Sequence, residues 1–243
     1  MVDPRRGRLS ADLYSADEMM TVAAARRLAD GDVCLVGIGL PSLAANLARR
    51  LHAPGCVLIY ESGTIGAKPR TPPLSIGDGE LADTADTVVS VPEIFNYWLQ
   101  AGRIDVGFLG AAQIDRHASL NTTVIGPYDS PKVRLPGAGG APEIASSARR
   151  VIVVLRHSLR AFVPRLDFRT SVPGDGPTSV ITDLGILETG TGERELVLTS
   201  VHRGVTVDGV RAATGWALRV APQVDETPPP TPSELDALRA MTA

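Results

Sequence analysis

Short apolar runs alternate with stretches of helical periodicity along the first part of the chain. An apolar run at 33–36 leads into a tight turn and a helical stretch at 41–51, and a second apolar run follows at 57–60. Short apolar runs that are bounded by turn residues are typical of buried strands. The order strand, turn, helix, strand therefore predicts a βαβ unit, whose crossover should be right-handed.

The same reading of periodicity and turn residues predicts the remaining elements. Capping-box patterns, in which Ser or Thr is followed three residues later by Glu, begin at Ser15 and Thr231. The first helix should end near residue 28, and the second is a C-terminal helix at 231–241. Further strands are predicted at 87–90, 104–109, 121–125, 132–135, 151–155, 179–182 and 196–199, and further helices at 92–100, 141–147 and 206–213. Alternating strands and helices indicate an α/β protein.

The expected organisation is a single domain at 15–243, preceded by a flexible N-terminal tail at 1–14. A chain of 243 residues, of which 44% are hydrophobic and 21% charged, is long enough to bury a full core. Residues 224–230 include three successive prolines. We interpret this segment as a linker to the C-terminal helix and not as a domain boundary.

Charge and hydropathy exclude several function classes. The net charge is −3 with a pI near 5.8, and the basic residues form no stripe, so nucleic acid is not expected as a partner. No apolar run approaches the length of about 20 residues that spans a membrane, so no membrane association is expected. The N-terminal arginines are not followed by the apolar segment of a secretory signal. We therefore expect a cytoplasmic protein.

Metal and thiol chemistry have little support. The four histidines lie far apart and show no metal-ligand spacing, so no metal site is expected. Cys34 and Cys56 belong to predicted buried strands, where reduced thiols are favoured over a disulfide. No serine lies within a G-x-S-x-G motif, which leaves serine hydrolase chemistry without support.

Glu61 is the most informative residue of the chain. It directly follows the apolar run at 57–60 and precedes Ser62 and Gly63. Parallel sheets bind ligands at the carboxyl ends of their strands, so Glu61 and the turn after 33–36 should face one crevice. A carboxylate held there out of bulk water suits a nucleophile, a general base or a ribose ligand. The pattern by itself leaves these three roles open.

Glycine-rich turns are the candidate ligand-binding loops. Gly37 and Gly39 resemble the start of a dinucleotide fingerprint, but Ser42 stands where its third glycine would be. The run at 137–140, which is Gly-Ala-Gly-Gly, precedes a predicted helix, where backbone N–H groups can approach a phosphate or a thioester oxygen. A tight connection that packs against a neighbouring strand explains this second run equally well.

The chain resembles the β subunits of family I CoA-transferases. The similarity runs from about Ser15 to the C-terminal helix, and it is stronger to the 3-oxoadipate branch of the family than to the glutaconate branch. The segments that carry it are 37–41 (Gly-Ile-Gly-Leu-Pro), 61–63 (Glu-Ser-Gly), 110–115 (Gly-Ala-Ala-Gln-Ile-Asp), 121–123 (Asn-Thr-Thr) and 137–141 (Gly-Ala-Gly-Gly-Ala).

This resemblance implies an α/β fold with an open, mostly parallel sheet flanked by helices, and a homologous α subunit that completes the active site. It implies that Glu61 is the catalytic residue, which attacks an acyl-CoA thioester and then carries CoA as a glutamyl thioester. CoA would move from succinyl-CoA to 3-oxoadipate or a related carboxylic acid. The CoA thioester is thus a substrate, and no permanently bound cofactor is implied.

Seven further residues are candidates for binding the acyl-CoA substrate. The glycines should offer backbone N–H groups to the CoA or to the oxyanion, and the two amide side chains are equally compatible with a structural role. The candidates are Gly37, Gly39, Gln113, Asn121, Gly137, Gly139 and Gly140. Two other functions remain open on the sequence alone: an acyl-CoA hydrolase or decarboxylase on the same fold, and a non-catalytic partner of an α subunit.

Overall fold

The structure is a computed structural model that describes residues 14–190 and 194–242. The predicted flexible tail at 1–14 lies outside these residues, except for Tyr14. Among the described residues, no helix is long and apolar enough to cross a membrane.

The described residues contain one ten-stranded sheet and two ladders of two strands each. The strands are β1 (Val33–Leu35), β2 (Val57–Ile59), β3 (Thr64–Ile65), β4 (Thr87–Val88), β5 (Val106–Leu109), β6 (Gln113–Ile114), β7 (Leu120–Asn121), β8 (Val124–Ile125), β9 (Val133–Arg134), β10 (Arg150–Val154), β11 (Thr178–Ile181), β12 (Gly185–Glu188), β13 (Val197–Val201) and β14 (Arg219–Glu226). The helices are α1 (Ala16–Ala25), α2 (Leu40–Leu51), α3 (Gly79–Asp83), α4 (Val91–Glu93), α5 (Ala141–Ser147), α6 (Val207–Ala212) and α7 (Pro232–Thr242), and a π-helix spans Ile94–Leu99.

The centre of the large sheet is parallel. Its strand order is β14-β13-β12-β11-β10-β5-β1-β2-β3-β4, and the neighbours from β11 to β2 all pair in parallel. Antiparallel pairs occur on both sides of this centre, at β11–β12–β13 and at β2–β3–β4. The prediction of an open, mostly parallel α/β sheet is confirmed.

The packing of α5 on the central strand β5 fixes the loop that precedes this helix. All four residues of β5 are buried. A Cβ atom on Gly107 would lie 2.5 Å from Ile144 Cγ2 and 3.1 Å from Ala148 Cβ. Because only glycine leaves this space, α5 can lie directly against the strand. The glycine-rich run at 137–140 is thereby held at the carboxyl end of the sheet.

The other face of the sheet is covered by α1, α2 and α7. Both predicted capping boxes are present, with reciprocal hydrogen bonds between Ser15 and Glu18 and between Thr231 and Glu234. Helix α2 buries an alanine-rich surface, which allows close approach to its neighbours. The predicted buried thiols, Cys34 and Cys56, are present as free cysteines in the core beneath these helices.

Three predicted elements differ from the structure. The predicted linker at 224–230 starts too early, because Arg219–Glu226 forms an edge strand parallel to β13, where the proline at 222 is tolerated. The predicted strand at 121–125 is divided into β7 and β8. The side chain of Asn121 accepts hydrogen bonds from the N–H groups of Thr123 and Val124, and these bonds turn the chain.

The third difference concerns the predicted helix at 92–100. A single α-helical turn at Val91–Glu93 continues as a π-helix at Ile94–Leu99. The N–H of Gln100 donates to the carbonyl of Phe95 over 2.8 Å, and Arg103 donates to Trp98 over the same distance. These five-residue spacings rotate the side chains relative to an α-helix. Single-turn π-helices are common at functional sites.

Candidate active site

Three adjacent parallel strands end at the same place and carry the candidate residues. The order β5-β1-β2 places the turn at 37–39 between Glu61, which follows β2, and the segment at 110–112, which follows β5. Ligands bind outside the carboxyl ends of the strands in open parallel sheets. The expectation that Glu61 and the first glycine turn share one crevice is confirmed by this arrangement.

A tight turn presents Glu61 at the end of β2. The N–H of Gly63 donates to the Tyr60 carbonyl over 3.0 Å, and the N–H of Tyr60 donates to the Thr64 carbonyl over 3.1 Å. Gly63 has a φ of 108°, and a Cβ atom there would lie 2.0 Å from the Val89 carbonyl oxygen. Glycine is therefore required at this position, and the turn leaves the Glu61 side chain at its tip.

The Glu61 carboxylate is half-buried and unpaired. It forms no hydrogen bond or ion pair with any residue in the described ranges. Burial raises the pKa of Glu61 above its ordinary value, because removal from water disfavours the charged form. A carboxylate in this state is more basic and less solvated than one in water, which suits it to act as a nucleophile or as a general base.

Two cavities of about 430 Å³ each meet at Glu61. Both also contact Gly110 and Ala141. The first lies under the glycine-rich loop, and its other lining residues are Ala111, Ala112, Thr122, Leu135, Pro136, Gly137, Ala138, Gly139 and Gly140. The second lies under the first glycine turn, and its other lining residues are Val36, Gly37, Ile38, Leu40, Pro41, Phe108, Leu109, Ile144 and Val154.

Gly140 brings the glycine-rich loop close to the carboxylate. A Cβ atom on Gly140 would lie 2.9 Å from Glu61 Oε1 and 2.6 Å from Phe95 Cζ. The π-helix therefore places Phe95 close to the loop at Gly140, and the loop passes close to the Glu61 carboxylate. Gln100, at the end of the π-helix, also donates a hydrogen bond to Glu143 in the first turn of α5. Phe95 is a functional-site candidate that sequence reasoning missed, since no local pattern reveals its contact with Gly140.

Several backbone donors lie in the two glycine-rich turns near Glu61, and of their residues all but Gly39 line one of the two cavities. The N–H groups of Gly37, Ile38 and Gly39 have no acceptor within the described part of the chain, and the same holds for those of Gly139 and Gly140. Gly139 and Gly137 have positive φ values of 50° and 105°. The Gly137 N–H is already used, since it donates to the Thr122 carbonyl over 2.9 Å.

Gln113 and Asn121 lie in a separate hydrogen-bonded cluster, and neither lines the two cavities at Glu61. The Asn121 side chain donates to Gln113 Oε1 over 2.8 Å and to the Val124 carbonyl over 2.7 Å. Gln113 Nε2 donates to Asp167 Oδ2 over 3.2 Å, and Gln113 Oε1 accepts from the Asp167 N–H. Their predicted substrate contacts have no geometric support, and the structural alternative is favoured for both.

The described residues contain no group of three or more His, Cys, Asp or Glu side chains arranged to hold a metal ion. His157 illustrates the packing of these side chains. It stacks on Phe162 at a centroid distance of 3.6 Å and bonds to Thr214 over 2.9 Å, and burial lowers its pKa to about 4. This histidine is a neutral core residue.

Comparison with known proteins points to one family. The family model described as Coenzyme A transferase matches residues 17–213. The chain is 62% identical to the β subunit of the 3-oxoadipate CoA-transferase of Pseudomonas knackmussii, over 95% of this chain and 94% of that protein. It is 35% identical to the β subunit of the glutaconate CoA-transferase of Acidaminococcus fermentans, over 89% of each.

Solved structures show the same fold. The crystal structure of glutaconate coenzyme A-transferase from Acidaminococcus fermentans matches with a TM-score of 0.87 and 30% identity, over 93% of this chain and 94% of that chain. The decarboxylase AibA/AibB matches with a TM-score of 0.85 and 28% identity, over 93% and 94%. The family model covers most of the chain, and the chain therefore belongs to the coenzyme A transferase family.

Proposed function

We propose that this chain is the β subunit of a heteromeric CoA-transferase that moves CoA from succinyl-CoA to 3-oxoadipate or a related carboxylic acid. The observation that carries this proposal is the unpaired, half-buried Glu61 between two cavities at the strand ends. The 62% identity to the β subunit of a 3-oxoadipate CoA-transferase supports the choice of acid.

In the first step, the Glu61 carboxylate attacks the carbonyl carbon of the acyl-CoA thioester. The carbon–sulfur bond breaks, CoA leaves as a thiolate, and an acyl-glutamyl anhydride remains. The thiolate then attacks the glutamyl carbonyl, which releases the first acid as a carboxylate and leaves CoA on Glu61 as a thioester. The acceptor acid reverses both steps. No bound cofactor enters this sequence, in which CoA is a substrate.

Two features of the site favour this chemistry. Water would hydrolyse the anhydride, and the lining of both cavities is mostly apolar. The unbonded N–H groups at 37–39 and at 139–140 are donors for a developing oxyanion, which is stabilised by fixed dipoles in a site of low polarity.

The need for an α subunit follows from the charges of the site. No Lys, Arg or His is among the described residues that line either cavity, whereas the substrate acids are anions. A buried carboxylate requires a partner of opposite charge or several hydrogen-bond donors. We therefore expect the α subunit to supply the groups that bind the carboxylates. A cytoplasmic location also belongs to the proposal, and cell fractionation tests it.

The test traps the covalent intermediate on Glu61. The chain is co-purified with its α subunit, incubated with succinyl-CoA and reduced with borohydride. The protein is then digested, and mass spectrometry measures the peptide that contains Glu61. Reduction of Glu61 to the alcohol is expected, because a thioester is reduced and a free carboxylate is not. A complex that carries Glu61→Gln serves as the control and should show no such reduction.

Other outcomes point to the alternative functions. With an unmodified Glu61 peptide, loss of the thioester to free CoA would support hydrolysis, and release of CO2 with the thioester kept would support decarboxylation. In either case Glu61 would act as a general base, and the similarity to AibA/AibB makes this the second candidate. Full activity in the Glu61→Gln complex would instead indicate a non-catalytic partner of the α subunit.

A further inference from the structure

A buried polar network adjoins the turn that carries Glu61 and has no role in the steps above. The Tyr60 hydroxyl and Ser42 Oγ lie 2.9 Å apart, and both residues are fully buried. Asn46 Nδ2 donates to the Ser42 carbonyl over 2.9 Å and lies within 3.5 Å of the Ser42 and Tyr60 hydroxyl oxygens. We call Tyr60, Ser42 and Asn46 the hydroxyl network.

The hydroxyl network joins two elements of the fold. Ser42 lies in the first turn of α2, three residues after Gly39, which directly precedes the helix. Asn46 follows Ser42 by about one helical turn, so both side chains lie on one face of α2. Tyr60 directly follows β2 and precedes Glu61. One hydrogen bond therefore connects the start of α2 to the residue that precedes the reactive carboxylate.

Tyr60 also closes the turn that presents Glu61. Its carbonyl accepts a hydrogen bond from the Gly63 N–H over 3.0 Å, and its own N–H donates to the Thr64 carbonyl over 3.1 Å. Both hydrogen bonds of the turn thus end on the residue whose side chain is bonded to α2. A shift of the Tyr60 ring relative to α2 would carry the turn, and Glu61 with it.

At its other end, the hydroxyl network holds the first glycine turn. The N–H groups at 37–39 have no acceptor within the described part of the chain, and this turn leads directly into α2. The first two residues of the turn line the second cavity together with Glu61. The bond between Tyr60 and Ser42 therefore sets the spacing between the carboxylate and these donors.

Packing alone does not require the two hydroxyls. Tyr60→Phe and Ser42→Ala would fill nearly the same space. The neighbouring buried residues of α2 are apolar, namely Ala44, Ala45, Leu47 and Ala48. A hydroxyl that is buried without a partner costs stability, so a hydroxyl pair in an apolar core favours the arrangement that bonds both groups. The pair thereby selects one position of α2 relative to β2.

The hydroxyl network acts through geometry and not through charge. Burial raises the pKa of Tyr60 and outweighs its hydrogen bonds with Ser42 and Asn46, so the phenol stays neutral. In a dinucleotide fingerprint, the position of Ser42 is a glycine that allows close packing of helix on strand. Here the side chain at this position makes a directed hydrogen bond instead.

We propose that Tyr60 and Ser42 are positioning residues, which hold the Glu61 carboxylate at a fixed distance from the N–H donors at 37–39. The nucleophile and the oxyanion donors have to meet the same thioester carbonyl, so their spacing affects the transition state more than the binding of CoA. The inference rests on the proposed function in that it assigns these residues a role in the attack by Glu61.

The test removes one hydroxyl or both. Complexes with the α subunit are made with Tyr60→Phe, with Ser42→Ala and with both substitutions. Ser200→Ala is the control, because Ser200 also takes part in a hydroxyl pair. It accepts a hydrogen bond from the Thr227 hydroxyl over 3.2 Å, on β13 near the far edge of the sheet.

Three measurements are made on each complex. Single-turnover kinetics with succinyl-CoA give the rate constant for formation of the thioester on Glu61 and the apparent Kd of succinyl-CoA. Thermal unfolding gives the Tm. Hydrogen exchange with mass spectrometry reports on the peptides 40–46 and 60–66, which lie at the two ends of the hydroxyl network.

The rate constant should fall about tenfold to a hundredfold in each single variant, since misplacement of a reacting group by about 1 Å can cost about 10²-fold. The apparent Kd should stay within about twofold of the wild type, because the loss concerns the transition state. The double variant should be no less stable than the weaker single variant, since no hydroxyl of the pair is left unbonded. It should nevertheless keep the slow rate. Exchange should become faster in both peptides together, and Ser200→Ala should change neither rate nor exchange.

Three results would overturn the inference. The first is a rate constant near that of the wild type in both single variants, and the second is recovery of the rate in the double variant. The third is a loss of the same size in Ser200→Ala. If the wild type forms no thioester on Glu61 but exchange changes together in both peptides, the positioning of the Glu61 turn by the hydroxyl network stands and the proposed function fails.

Discussion

Glu61 and Glu234 are both carboxylates at partly buried positions, but only Glu234 has hydrogen-bond donors around it among the described residues. Glu234 lies in the first turn of α7. It accepts hydrogen bonds from Arg26 Nε and Nη2, both over 2.7 Å, and from the Thr231 N–H and hydroxyl. Glu61 has no such partner among the described residues. One carboxylate ties α7 to α1, and the other is left available for chemistry.

The pKa values of the two groups express this difference. For Glu234, burial raises the pKa, but the hydrogen bonds from Arg26 and Thr231 outweigh burial and bring the pKa to about 2. For Glu61, burial raises the pKa and no donor opposes it. Burial alone therefore does not make a carboxylate stabilising. What matters is whether donors replace the water that is lost.

The largest effect should come from removing the reactive oxygen of the unpaired carboxylate. Glu61→Gln keeps the side-chain volume, and a carboxamide is a far weaker nucleophile than a carboxylate. We expect kcat for CoA transfer by the complex with the α subunit to fall by about 10⁴-fold or more. The matched variant, Glu234→Gln, should retain kcat once it is folded. A Glu61→Gln complex with kcat near that of the wild type would contradict the reactive role of this residue.

A smaller loss is expected from disturbing Glu61 without removing it. In Gly140→Ala, the new Cβ atom would lie 2.9 Å from Glu61 Oε1 and 2.6 Å from Phe95 Cζ, so the loop or the carboxylate has to move. A displacement of about 1 Å at a reacting group can cost about 10²-fold in kcat.

The control for this variant is Gly79→Ala, since Gly79 has no atom within 4 Å of an added Cβ and no positive φ. This control should leave kcat and the melting temperature near their wild-type values. Equal kcat for Gly140→Ala and the wild type would show that the contact between the loop and Glu61 is not needed for activity.

The paired carboxylate should control stability in acid. The pKa of folded Glu234 is about 2, below its ordinary value, so its contribution is present above the unfolded pKa of 4.5 and is lost as the pH falls towards 2. Glu234→Gln should lower the free energy of unfolding by about 1–2 kcal/mol near neutral pH. Urea unfolding should show that this difference shrinks as the pH falls below 4.5. A difference that stays constant over this range would exclude the ion pair as its source.

The smallest expected effect is a gain in the stability of Glu61→Gln, opposite in sign to the loss expected for Glu234→Gln. The raised pKa of folded Glu61 means that its charged form destabilises the folded protein above that pKa, and that the effect is absent below the unfolded pKa of 4.5. Glu61→Gln should therefore stabilise the protein near neutral pH, by a few tenths to about 1 kcal/mol after allowance for its partial exposure.

Thermal unfolding at several pH values measures this gain, which should grow as the pH rises through the raised pKa and should be absent in acid. Destabilisation of Glu61→Gln at neutral pH would mean that the carboxylate has a stabilising partner. The contrast between Glu61 and Glu234 would then no longer hold.

Elements that depend on local interactions were predictable from the sequence. The helix at 141–147 was predicted with the bounds that the structure shows, and both capping boxes were predicted from residues three apart. Two-residue strands such as β3 and β6 were missed, because so few residues carry no periodicity. The edge strand β14 was missed because its polar, proline-containing sequence forms a strand only by pairing with β13. The catalytic role of Glu61 and the binding roles of the glycines stay predictions, which the variants above test.

By itself, the sequence determined that an apolar strand ends in Glu61, that glycines follow the neighbouring strand and that a helix follows a run of small residues at 137–140. Each of these properties depends on residues close together in the chain. Only the tertiary structure decided that Glu61 has no partner among the described residues, that Gly140 lies close to both Glu61 and Phe95 and that Gln113 and Asn121 bond to each other and to residues around them. These contacts join residues distant in sequence, and the order of strands in the sheet brings them together.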